Sequence, residues 1–196
     1  MPLPLLWLGA AAISALAVKE LADDRKKQQN KRRFYRDVQS LDMLKQHESP
    51  VVQYPTDLFN TEQKVSPEIG SLVCCGIGGL LDHTGIWVGE DSIIELGGNG
   101  LIKPISVQRF TKERSGNNIF IACDSNATPL ASVSAAKRAQ EQVFQYRDYH
   151  LLENNCHQFI WQCFKPDDKS LTTFKELNIR LATLFDRKIY WDICDC

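Results

Sequence analysis

Residues 82–96 read DHTGIWVGEDSIIEL, and the reading of this stretch decides the fold. Gly89-Glu90-Asp91 has the composition of a tight turn between two β-prone runs. The stretch is therefore predicted to be a hairpin, with one strand from about His83 to Val88 and a return strand through Ile93 to Leu96. In an antiparallel pair, residues near the open ends of the two strands face each other across the ladder. His83 and Glu95, 12 positions apart, stand close to that relation. A carboxylate so placed holds an imidazole in one tautomer and leaves the other ring nitrogen for a thiol proton. Singly, a His that begins a strand and a Glu that ends one are equally well read as solvated surface groups.

Outward from the hairpin, short strand-like runs recur at 69–75, 101–105 and 119–123, separated by Gly-containing or Asn-containing breaks. Together they predict a small, mainly antiparallel sheet. The character changes after Asn126. Thr128-Pro129 supplies a cap and a first-turn proline, and Leu130, Val133, Ala136, Val143 and Phe144 mark one face of a helix to about Tyr146. A second helix is expected from Asn154 or Asn155 through Phe164, stopped by Pro166. A third carries Leu171, Phe174, Leu177, Leu181, Leu184 and Phe185 at helical spacing, with Thr173-x-x-Glu176 as a capping box. Strands followed by helices predict an α+β domain.

The whole chain has 196 residues, 43% hydrophobic and 24% charged, which fits one modest domain with an appendage and excludes a disordered protein or a repeat array. Its net charge of −1 is unevenly distributed. Residues 2–18 carry no charge and read PLPLLWLGAAAISALAV, whereas residues 19–36 carry eight basic and three acidic side chains, leaving a net −6 on the rest. An apolar helix of that length reaches about 25 Å, slightly short of the hydrocarbon core, and Leu21 and Ala22 can extend it. Positive charge after the apolar run keeps its C-terminal side in the cytosol. A cleaved signal peptide, with Ala15-Leu16-Ala17 as its cleavage site, wants the charge before the run; an interfacial or buried helix is the third reading. The expected division is a transmembrane anchor at 1–22, a basic juxtamembrane helix or stalk at 23–48, a folded domain at 49–166, and a C-terminal amphipathic helix and tail at 167–196. A basic collar beside an apolar head suits a lipid bilayer and argues against nucleic acid.

The seven cysteines are an odd number in a domain large enough to need no staples, and no Cys-x-x-Cys pair occurs. Reduced thiols are expected, and no metal or other cofactor. Cys156 is distinguished by its setting, NNCHQF. If Asn154 or Asn155 caps the helix, the thiol sits in the first turn, where unpaired N–H groups and the positive end of the dipole favour thiolate. Most helical cysteines are inert packing. His157, next in sequence, points about 100° away and is a poor base for Cys156. His150 can line a cleft, His47 lies outside the domain, and Cys163 is expected beneath Cys156. The glycines at 76, 78 and 79 lack the Lys-Ser/Thr of a phosphate loop and read as a turn.

The Asp-His-x-Gly-Ile-x-Val-Gly strand, the polar residue 12 positions after that His, and the later Asn-Cys-x-x-Phe helix resemble the lecithin:retinol acyltransferase-like family. This is the circularly permuted branch of the NlpC-type papain-fold thiol enzymes, with His83 preceding Cys156. The likeness covers residues 65–164, about half the chain. It implies a permuted papain-like core, an antiparallel sheet against the nucleophile helix, with Cys156 as nucleophile, His83 as general base and Glu95 orienting His83. Many lipid-acting members carry a second histidine where this chain has Glu95, and read Asn-Cys-Glu-His-Phe where it has Asn155-Cys156-His157-Gln158-Phe159. The expected activity is a membrane-anchored, single-pass thiol acyltransferase or hydrolase, phospholipase A-like, with its catalytic domain in the cytosol and a phospholipid or other acyl lipid as substrate. The alternatives are a thiol amidase or peptidase acting on peptide or cell-wall amides, and a catalytically silent membrane-tethered binding module.

Overall fold

The computed structural model describes residues 64–75, 83–112, 118–168 and 171–196, all within the unit Val51–Cys196. The apolar head, the basic collar, His47 and the glycines at 76–79 lie outside the described residues. Among those described, no helix is long and apolar enough to cross a membrane.

The strands are β1 (Lys64–Val65), β2 (Leu72–Cys75), β3 (His83–Gly89), β4 (Ser92–Leu96), β5 (Ile102–Ser106), β6 (Phe120–Cys123) and β7 (Tyr190–Cys194). The helices are α1 (Val107–Thr111), α2 (Val133–Gln140), α3 (Cys156–Phe164) and α4 (Phe174–Phe185). The fold is α+β. One seven-stranded sheet has the order β1-β7-β6-β2-β3-β4-β5, antiparallel except where β1 runs parallel to β7.

Period-two alternation divides the strand side chains between two faces. Leu72, Cys74, Ile86, Ile94, Leu96, Ile102 and Trp191 point into a core closed by buried residues of α2, α3 and α4. Val73, Cys75, Trp87, Ile93, Ile121 and Cys123 point to the other face, with Phe110 of α1. The hairpin forms as expected, turning through Glu90 and Asp91, both with positive φ.

Two expectations need correction. The helix predicted to run to Tyr146 ends at Gln140 and begins only at Val133. Asp124 Oδ1 accepts the N–H groups of Asn126 and Thr128, so Thr128 and Pro129 are held in an extended run beside β6, and Ser132 caps the helix in their place. At its other end the chain turns back along β5: the N–H of Phe144 donates to Ile102 O, and that of Arg147 to Gly100 O. Gly100 permits this approach, since a Cβ there would lie 2.2 Å from Arg147 O. Val133 and Phe144, expected on a core face, are consequently exposed.

The second correction concerns the C-terminus. The tail expected after the last helix contains β7, inserted between β1 and β6. Trp191 Nε1 donates to Asn178 Oδ1 at 2.9 Å, and Asn178 Nδ2 donates to Phe174 O at 2.7 Å, so a buried amide locks β7 onto α4. Its sequence, YWDIC, was hidden because five residues beyond a long helix give no periodicity to read.

Trp191→Phe, which strands Asn178 Oδ1 and removes ring volume, is expected to lower the denaturant unfolding free energy by roughly 2–4 kcal/mol. Deleting 189–196 should abolish cooperative unfolding, because it removes a strand from inside the sheet.

Candidate active site

Asn155 fixes where α3 begins. Its backbone is extended, and its Oδ1 accepts the Gln158 N–H at 3.0 Å. Its Nδ2 donates to Leu151 O and to Thr172 O, both at 2.7 Å. The cap thus ties three segments together and places Cys156 at the first helical position, 3% exposed. The backbone N–H groups of the first turn and the positive end of the helix dipole there favour negative charge.

Burial pushes the Cys156 thiol up, but the charge of His157 and hydrogen bonds to His157 and His83 outweigh it, holding the thiol well below its ordinary range. Cys163, on the same helix, shows burial prevailing over the nearby charges of Arg147 and Arg138. It has no histidine beside it, and desolvation pushes it up to about 12. Hydrogen bonding between Cys194 and Cys196 at the C-terminus moves the former up and the latter down. Cys156 is therefore the buried thiol of this group set up to ionise.

His83 opens β3, and its Nε2 lies 2.8 Å from Glu95 Oε2. Continuing the Ile86–Ile94 register puts Glu95 opposite Gly85, so His83 and Glu95 meet diagonally on one face of the sheet. Glu95 is 1% exposed. A carboxylate accepts, so Nε2 of His83 carries the proton and donates, which leaves Nδ1 with its lone pair for the thiol. Glu95 also faces Lys103, its partner on β5, whose Nζ lies 3.7 Å from Oε1. The Phe110 ring packs on the His83 ring at 5.3 Å. Gly85 makes room for that packing, since a Cβ would come within 2.4 Å of Ile93 Cγ2 and 3.1 Å of Phe110 Cε2.

The three residues singled out in the sequence are thus brought together: Cys156 against His83, and His83 against Glu95. Lys103 and Thr84 escaped sequence reading as site residues, and His157 was set aside there. Lys103 was findable from register alone, opposite Glu95 in the next hairpin. Thr84 Oγ1 lies 3.1 Å from His157 Nδ1, which in turn lies 3.8 Å from Cys156 Sγ. The expectation that His157 points away from the thiol is therefore corrected. Helical side chains lean back toward the N-terminus, and in the first turn this lean brings a long side chain alongside its neighbour. His150 is exposed, and its Nδ1 accepts the Leu152 N–H within its own turn.

Among the described residues, no group of three or more His, Cys, Asp or Glu side chains is arranged to hold a metal ion. A scan against family models and a search of curated proteins each found no match.

With the protein folded, Cys156 should react with iodoacetamide at pH values below the ordinary thiol pKa of about 8.5, while Cys163 stays unmodified; peptide mass mapping reads both. Asn155→Ala should cost about 1–3 kcal/mol in unfolding and slow Cys156 labelling near neutral pH, because the cap and two backbone acceptors lose their partner together.

Proposed function

We propose that the chain is a thiol acyltransferase or hydrolase that works through an acyl-thioester on Cys156. The observation that carries this reading is a buried helix-start thiol drawn toward thiolate by two imidazoles, one of them held by a buried carboxylate. Such an arrangement is uncommon for a structural cysteine, and strongly perturbed ionisation by named partners is characteristic of reactive sites.

In the first half-reaction the thiol proton passes to Nδ1 of His83, and Sγ attacks the carbonyl carbon of an acyl donor. Backbone N–H groups in the first turn of α3 bind the oxyanion. The C–O or C–N bond then breaks, and the His83 imidazolium returns its proton to the departing alcohol or amine. In the second half-reaction His83 takes a proton from water, or from an alcohol or amine acceptor, as that group attacks the thioester. Sγ leaves as thiolate, and the acyl group is transferred. Glu95 keeps the His83 ring oriented and offsets its positive charge in both halves.

The acyl donor we favour is a phospholipid or another acyl lipid. The likeness to the lecithin:retinol acyltransferase-like family, with its permuted papain-like core, supports it. So does the expected anchor at 1–22, which would make the protein single-pass with this domain on the cytosolic face of the bilayer. The substitution of Glu95 for a second histidine favours a second reading, an amidase or peptidase of the same thiol chemistry.

Incubated with phosphatidylcholine vesicles, the full chain should gain one acyl mass by intact mass spectrometry, and Cys156→Ala should gain none. No adduct with vesicles, together with slow Cys156 alkylation, would overturn the reading; an adduct with peptide amides alone would move it to the second. Glu95→Gln should slow acylation by about 10–100-fold through loss of imidazolium stabilisation, and an unchanged rate would remove Glu95 from the site.

A further inference from the structure

We infer that His157 is a second imidazole of the thiol site, donating from Nδ1 to the Cys156 thiolate, and that the buried Thr84 hydroxyl is the residue that positions it. The inference rests on the reading of Cys156 as the nucleophile and adds a donor that the motif did not supply.

The geometry begins with β3. Its first two side chains leave opposite faces of the sheet, yet both bear on the start of α3. His83, on the face with Phe110 and Glu95, hydrogen-bonds the thiol. Thr84, fully buried on the helix-facing side, lies 3.1 Å from His157 Nδ1. Two consecutive strand residues therefore reach two consecutive helix residues, and the thiol has an imidazole from each element.

His157 is 8% exposed, and its ring packs against Phe174 of α4 at 5.5 Å. That contact and the Thr84 bond fix the ring's tilt and aim Nδ1 between two acceptors, Thr84 Oγ1 and Sγ at 3.8 Å. In the thiol form the Nδ1–H donates to the Thr84 oxygen. When the thiol ionises, its proton goes to Nδ1 of His83, and the Nδ1–H of His157 turns toward the new charge on sulfur. His157 neither gains nor loses a proton in this step. The two imidazoles divide the work: His83 carries the proton, and His157 stabilises the anion left behind. Hydrogen bonds to ionised groups are stronger than those between neutral ones, and a looser bond in the resting site tightens as charge develops.

The groups that act on the thiol are His157 on its own helix and His83 on β3. Glu95 of β4 faces His83 and is itself faced by Lys103 of β5. From α4 the neighbour of His157 is the uncharged Phe174 ring. Changes at Thr84 or His157 can thus be read separately from the carboxylate side of the site.

The test is the pH profile of Cys156 alkylation by iodoacetamide in the full chain, mapped by peptide mass and paired with single-turnover acylation from phosphatidylcholine vesicles. His157→Phe keeps a ring against Phe174 without a donor. It should raise the alkylation midpoint by about one pH unit, making labelling below that midpoint about tenfold slower. Thr84→Val should shift it the same way by less, and Thr84→Ser should restore it, which a packing role for the methyl group would not do. In His83→Ala acylation should be lost while the midpoint stays below the ordinary thiol range; in the double variant His83→Ala/His157→Phe, where no imidazole opposes burial, it should rise above about 8.5. An unchanged midpoint in His157→Phe overturns the inference even if the acyl adduct forms. Should His157→Phe not fold, an unchanged midpoint in Thr84→Val does the same. If no vesicle gives an adduct but the midpoints shift as stated, the lipid reading fails and the donor role of His157 stands.

Discussion

A buried thiol resists ionisation, and the organisation of this site follows from overcoming that resistance. At Cys163 burial wins: desolvation drives the thiol up to about 12 even though the charges of Arg147 and Arg138 pull it down. Seven residues earlier on the same helix, Cys156 is buried as deeply and is displaced in the opposite direction. What separates the two is position in the helix and the presence of imidazoles. Cys156 occupies the first turn, at the positive end of the helix dipole, whereas Cys163 sits in the last turn, at its negative end.

Each element contributes to that difference by controlling geometry. Asn155 saturates its side chain on three segments and so fixes the helix start. The diagonal of the β3–β4 hairpin brings a carboxylate to Nε2 of His83, which settles the tautomer and frees Nδ1. Gly85 lets Phe110 close over the imidazole, and Lys103 balances the buried Glu95 charge from the neighbouring strand. On the far side of the sheet, the lock between Trp191 and Asn178 holds α4 in place, and α4 carries the Phe174 ring that borders His157. The Cys156 site is thereby coupled to packing well outside it.

Much of this was legible where local rules are strong. The hairpin, a cap at Asn154 or Asn155, of which the structure uses Asn155, the stop before Pro166 and the Thr173 cap of α4 each follow from residue chemistry within a few positions. The pairing of His83 with Glu95 was legible because one turn fixes both strands. What escaped depends on contacts distant in sequence. The α2 boundary is set by Asp124 and by the edge of β5, and β7 is short and follows a helix, so neither leaves a periodic trace. Thr84 looked like an ordinary strand residue until α3 packed beside it. His157 was misjudged because angular spacing in an ideal helix ignores the backward lean of side chains in the first turn.

The most direct measurement is the pH titration of thiolate ultraviolet absorbance in the full chain, taken as the difference between the wild-type protein and Cys156→Ala. A Cys156 ionisation well below the ordinary thiol range of about 8.5, shifting upward on replacement of His83, is the expected result. An ionisation at or above that range, unaffected by His83, would contradict the assignment of Cys156 as nucleophile.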